Sequence, residues 1–112
     1  MLATIEQQNN ITLVKITADA LDDGNEKHFR KEVISSLEPG ANVVLDLNEV
    51  DFIDSSGLGA ILSCYRHLQT ASGDLKLCRA KKAVRSLIEL LRMHRIFDIY
   101  DTSEEAMESF QK

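Results

Sequence analysis

The sequence predicts an α/β domain, and three observations carry that expectation. Short β-branched or apolar runs alternate with helical periodicities along nearly all of its 112 residues. One of these runs, Val43-Val44-Leu45-Asp46-Leu47, is almost continuously apolar, the pattern of a strand covered on both faces of a parallel or mixed sheet. The length is that of one domain, here residues 1–112, able to bury one core with little material left for a deep substrate cleft.

The elements follow in the order ββαβαβαβα. Ile11-Thr12-Leu13-Val14-Lys15-Ile16-Thr17 is rich in β-branched residues, and the turn residues Asn9-Asn10 before it predict a hairpin with residues 3–8. A polar loop from Asp19 to Asn25 follows, with Asn25 placed to cap a helix whose face is Phe29, Val33 and Leu37. Pro39-Gly40 is expected to stop that helix. After the central strand, Leu58, Ile61, Leu62, Tyr65 and Leu68 mark a second helix, closed by Ser72-Gly73-Asp74. Residues 75–79 form a strand. Val84, Leu87, Ile88 and Leu91 give a third helix, and Ile96 to Tyr100 a last strand. Thr102-Ser103-Glu104-Glu105 reads as a capping box opening a terminal helix with Ala106, Met107 and Phe110 on its apolar face. Strands joined through helices are parallel, so only the opening hairpin is antiparallel.

The composition is that of a folded chain, 44% hydrophobic and 28% charged, with a net charge of −5. That charge disfavours nucleic acid and anionic lipid. No apolar run approaches the ~18 residues of a membrane span, and Met1 to Gln7 lacks the features of a secretory signal. A cytoplasmic protein without membrane insertion is expected. Cys64 and Cys78 fit neither a redox pair nor a zinc site and read as reduced, half-buried small hydrophobes. His28, His67 and His94 have no carboxylate or Cys at ligand spacing, so no metal is expected. Tyr65, Phe97 and Phe110 read as core. Arg79, Lys81, Lys82, Arg85, Arg92 and Arg95 concentrate basic charge around the third helix, as a solvated face or as a second protein-contact surface.

The sharpest local feature is Val50-Asp51-Phe52-Ile53-Asp54-Ser55-Ser56-Gly57-Leu58-Gly59. It leads from the central strand into a helix, where α/β proteins keep their sites. Four readings fit it. It is a turn with a helix cap. It cradles a phosphate, although it has neither the Lys-Ser/Thr ending of a Walker loop nor the GxGxxG spacing. It carries a nucleophilic serine, although it is not GxSxG. Or its serine is itself modified: a phosphate on Ser56 brings about −1.5 to −2 charges to a helix start that tolerates an anion, beside Asp54 and the acidic Asp22 and Asp23, so that a docked partner is repelled.

Leu45-Asp46-Leu47 followed by that segment resembles the signature of the STAS domain, in its bacterial anti-sigma factor antagonist (anti-anti-sigma factor) branch. Leu21-Asp22 with Asn25, Phe29 and Arg30 is similar to the family's loop into its first helix, and residues 96–106 to its last strand and helix. The resemblance implies a STAS fold: one mixed, mostly parallel sheet with an N-terminal hairpin and about four helices. It implies that Ser56, directly before Gly-Leu-Gly, is phosphorylated by a partner-switching serine kinase, which binds the ATP, and dephosphorylated by a PP2C-type phosphatase. The unphosphorylated chain would bind its anti-sigma factor or kinase and the phosphorylated chain would let go. Asp22, Asp23, Asn25, Asp54, Ser55, Ser56, Gly57 and Leu58 are then the partner-binding residues. The chain itself would not be an enzyme and would need no cofactor, and nothing in the sequence demands more than a monomer. A constitutive STAS scaffold subunit of a transporter or signalling complex, and a small nucleotide- or ligand-binding module at the same loop, are the alternatives. Two departures stand out. The family often has Gly at the end of the third helix, where Met93-His94-Arg95 stands, which predicts a left-handed His94. The loop Asp22-Asp23-Gly24-Asn25-Glu26 is also unusually acidic.

Overall fold

Asn9 and Asn10 both hold positive φ, 54° and 66°, the geometry a two-residue hairpin turn requires. They join β1 (Ala3–Gln8) to β2 (Ile11–Ile16) in antiparallel register. The computed structural model describes residues 1–111. Two short strands, β3 (Ala20–Leu21) and β5 (Phe52–Ile53), lie outside the main sheet. That sheet has the order β1-β2-β4-β6-β7, with β4 (Asn42–Asp46), β6 (Asp74–Cys78) and β7 (Ile99–Tyr100) parallel to β2. Four of the five residues of β4 are buried, as its apolar run requires at the centre of the sheet.

Helices α1 (Glu26–Ile34), α2 (Ser55–Gln69) and α3 (Lys82–Leu90) bring Phe29, Val33, Ile61, Leu68, Val84 and Ile88 into one core with the sheet's Val14, Leu45 and Leu77. Helix α4 (Ser103–Ser109) covers the other face, where Ala106, Met107 and Phe110 meet Ile11, Val44 and Cys78. The buried Lys76 donates to Ser109 Oγ at 2.7 Å and lies 4.3 Å from the Phe110 ring centroid, anchoring α4 by a cation–π contact. Among the described residues no helix is long and apolar enough to cross a membrane.

Several local expectations are corrected. Helix α1 stops at Ile34, five residues before Pro39, because the Ser35 and Ser36 hydroxyls both donate to the Glu32 carbonyl and compete with the helix ladder. Leu37 is nevertheless buried, from the loop. Asn25 precedes α1 without capping it: its Oδ1 accepts from Asp22 N and its Nδ2 donates to the Ala20 carbonyl. The last strand is only Ile99–Tyr100, after a 3-10 turn at Met93–Arg95. The left-handed residue is Arg92 (φ 59°), not His94. α3 ends at Leu90 with Leu91 as its cap, so Arg92 is the first residue beyond, the position that takes this conformation. The capping box forms by half, with Thr102 Oγ1 accepting from Glu105 N at 3.1 Å and donating to the Glu105 carboxylate rather than receiving a return bond at its own amide. Both cysteines are fully rather than half buried, and burial pushes each thiol up to about 12. Phe97 is buried and meets the half-buried Tyr65 edge to face, with ring centroids 5.5 Å apart.

Candidate functional site

The loop of residues 22–25 and the start of α2 meet because β3 and β5 pair in parallel, Ala20 with Phe52 and Leu21 with Ile53. The sequence reading treats Asp19 to Asn25 as loop only. Two-residue strands carry no periodicity, and the sequence offers only the short apolar pairs Ala20-Leu21 and Phe52-Ile53 between acidic residues. Three backbone bonds extend the ribbon: Asp51 N and Phe52 N both donate to the Asp19 carbonyl, and Asp54 N to the Leu21 carbonyl.

Asp54 then does two things. Its Oδ1 accepts from Gly57 N at 2.9 Å, capping α2, and its Oδ2 accepts from Asp23 N at 3.1 Å, fixing the acidic loop against the helix start. Gly57 permits this closeness: a Cβ there would lie 2.2 Å from the Leu21 carbonyl oxygen. Within the loop, Asp22 Oδ1 accepts from Gly24 N at 2.9 Å and Asn25 ties Asp22 to Ala20. Ser55 is exposed. Ser56 is half-buried and its hydroxyl donates to Asp23 Oδ1 at 3.4 Å. Asp22, Asp23, Asn25, Asp54, Ser55, Ser56 and Gly57 are therefore gathered in one place. Gly57 and Leu58 face inward and are buried, so they shape the surface from beneath.

The chemistry of this place follows from its polarity. A helix start favours an anion through its macrodipole and its free amides, while Asp23 and Asp54 supply negative charge from the loop and the cap. The Ser56 hydroxyl has a carboxylate neighbour, Asp23, and no histidine hydrogen-bonded to it among the described residues. His67 Nε2 instead meets the Leu37 carbonyl at 2.8 Å, and His28 lies 3.6 Å from Glu32. Nor do the described residues include a His, Cys, Asp and Glu cluster that could hold a metal.

Two features beside the site were not singled out from sequence. Phe52 is 55% exposed on β5, between Asp51 and Asp54. The ends of β4 and β6 are tied by an ion pair in which Arg79 Nε and Nη2 reach the buried Asp46 carboxylate at 3.2 and 2.5 Å, which raises the Arg79 pKa. Lys81 pairs with Asp51 in turn, linking the start of α3 to the residue before β5.

Comparison with known proteins gives a consistent result. The family profile of the STAS domain matches residues 3–106. BtrV of Bordetella bronchiseptica, named as an anti-sigma factor antagonist, is 29% identical over 100 residues, which cover 88% of this chain and 86% of BtrV. A crystal structure of an anti-sigma factor antagonist from Thermotoga maritima superimposes with a TM-score of 0.81 at 27% identity, over 98% of this chain and 95% of that one. The phosphorylated form of the Bacillus cell fate determinant SpoIIAA superimposes with a TM-score of 0.67 at 20% identity, over 96% of this chain and 98% of its own, a likeness of fold.

Proposed function

The chain belongs to the STAS domain family, and from that premise we propose that it is a partner-switching regulator of the anti-sigma factor antagonist kind, with Ser56 as its phosphorylated residue. The observation that carries the reading is the setting of Ser56 on the first turn of α2. Its hydroxyl donates to Asp23, whose backbone is held by the same Asp54 that caps the helix. Phosphorylation turns that donor into a dianionic acceptor and sets like charges side by side at the mouth of the loop. The helix start offsets part of this repulsion, so the fold survives while the surface changes sign of attraction.

In the unmodified state the acidic loop of Asp22 and Asp23, with Asn25, Asp54, Ser55 and Ser56, presents a surface for an anti-sigma factor or related serine kinase, and Gly57 and Leu58 hold its shape. The kinase binds the ATP and a PP2C-type phosphatase reverses the modification, so this chain performs regulation and no chemistry of its own. The setting would be cytoplasmic. Phosphopeptide mapping of the protein from its own cells, beside a Ser56→Ala control, tests the reading. One phosphate at Ser56, lost in the control, is the expected result. An unmodified chain under every growth condition would point to a constitutive scaffold instead.

A further inference from the structure

The end of α3 and the turn after it leave large apolar side chains exposed to solvent. Leu90 is 76% exposed, and Leu91 and Ile96 are each 43% exposed. Arg92, His94 and Arg95, between them, are exposed as well. Residues 79–96 hold six Lys and Arg against the single acid Glu89, in a chain whose net charge is −5. Three of those cations are engaged within the molecule: Arg79 with Asp46, Lys81 with Asp51, and Arg85 with Glu89 and Asp101. Arg92 and Arg95 have no acidic partner among the described residues. Arg92 also occupies a left-handed backbone (φ 59°) that glycine takes without strain, so an arginine side chain is kept there against the preference of the backbone.

We propose that the Leu90–Ile96 turn is a second docking surface, for a protein segment that sets acidic residues beside large apolar side chains, and that it works whatever the state of Ser56. Charge complementarity selects the occupant. An anionic membrane is the poorer match, because the rest of this chain is strongly acidic and would be repelled by the same lipid, and the turn exposes no Trp or Tyr of the kind that anchors at an interface. Independence from Ser56 follows from topology. α2 and α3 both start at the end of the sheet where β4 and β6 finish, and the nine residues of α3 then run back about 13 Å. That exceeds the Debye length of about 8 Å at physiological ionic strength.

The test titrates the ¹⁵N-labelled full chain with a synthetic peptide of three Glu-Leu-Leu-Glu repeats. Amide shifts should concentrate at residues 90–96, persist unchanged in Ser56→Glu, and vanish when the peptide carries Lys for every Glu. The double substitution Arg92→Glu/Arg95→Glu should weaken the peptide by about tenfold or more. Arg92→Gly separates binding from folding, because it should raise or preserve the melting temperature while still weakening the peptide. Shifts at residues 22–25 and 54–58 instead, loss of binding in Ser56→Glu, equal affinity for the Lys peptide, no binding at all, or stronger binding to phosphatidylserine vesicles would each overturn the proposal.

Discussion

Two helices start at the same end of this sheet and are built on opposite principles. At the start of α2, Asp54 caps the helix with one carboxylate oxygen and holds Asp23 with the other, and Gly57 packs against the Leu21 carbonyl. At the start of α3, Lys81 holds the extended geometry of a cap (φ −67°, ψ 158°) yet offers no side-chain cap, and Lys82 follows it. A helix start favours anions and disfavours cations. The first start therefore obeys the physics of helix ends and the second opposes it. What is over-determined at α2 is the placement of Ser56. What is left over at α3 is positive charge, part of which Lys81 directs to Asp51 beside β5.

The comparison can be broken most forcefully at Gly57. A Cβ at Gly57 meets backbone oxygen at 2.2 Å, whereas one at Gly59 meets nothing within 4 Å. Gly57→Ala should cost about 3 kcal/mol or more, by forcing the ribbon from the helix. Gly59→Ala should instead stabilise by about 0.5–1 kcal/mol, the usual gain over glycine inside a helix. Urea denaturation of both variants checks this. Equal effects would mean that the approach of α2 to Leu21 is not what requires glycine.

A second effect compares a buried thiol in each region, Cys64 on α2 and Cys78 at the end of β6. Burial is the leading cause at both, and at Cys78 the Asp46 carboxylate adds to it. Both thiols stand at about 12 in the fold against 9.0 for a free thiol. Below the lower value the thiols are neutral in folded and unfolded chains alike. As pH rises from 9 toward 12 the unfolded chain loses its protons first, so stability falls. Between about pH 8 and pH 10.5 the wild type should lose about 2 kcal/mol relative to Cys64→Ala, and similarly relative to Cys78→Ala. A pH-independent difference between wild type and either variant would mean that the thiol ionises freely within the fold.

Asp54→Ala comes next. It removes a cap worth about 1 kcal/mol and frees Asp23 N, so the loop of residues 22–25 should lose hydrogen-exchange protection along with the stability. A loss of stability with protection at Asp23 unchanged would show that the loop is held by Asn25 and Asp22 alone.

The same contrast explains what could be read from sequence. Long elements with strong periodicity were legible: the buried run of β4, the faces of α2 and α4, the Asn9-Asn10 hairpin. The motif around Ser56 was legible as a resemblance, because Asp, Ser and Gly at fixed spacing are demanded together by a cap and a close approach. The ribbon that assembles the site was not, since β3 and β5 have two residues each and their pairing is a tertiary event. The left-handed residue is Arg92, two positions before the His94 that the family's glycine suggests, because α3 ends at Leu90 with Leu91 as its cap and the left-handed residue follows the cap, not the family pattern. The Arg79–Asp46 pair joins residues 33 apart, beyond any local signal.

The smallest effect tests the α3 side directly. Lys82 is the first residue of α3, is exposed, and makes no ion pair among the described residues. Replacing it by Glu exchanges a cation for an anion at the positive end of the helix, which should stabilise the chain by about 0.5 kcal/mol at low ionic strength, with the gain shrinking as salt is added. Lys81 is left in place, so its pair with Asp51 is preserved and the β5 ribbon is not disturbed. A gain of that size means that the fold alone would choose an acid here, and that the basic start of α3 is tolerated by the structure rather than required by it. A loss in stability would mean that Lys82 supports the neighbouring loop after all, and the contrast between the two helix starts would reduce to one of capping alone.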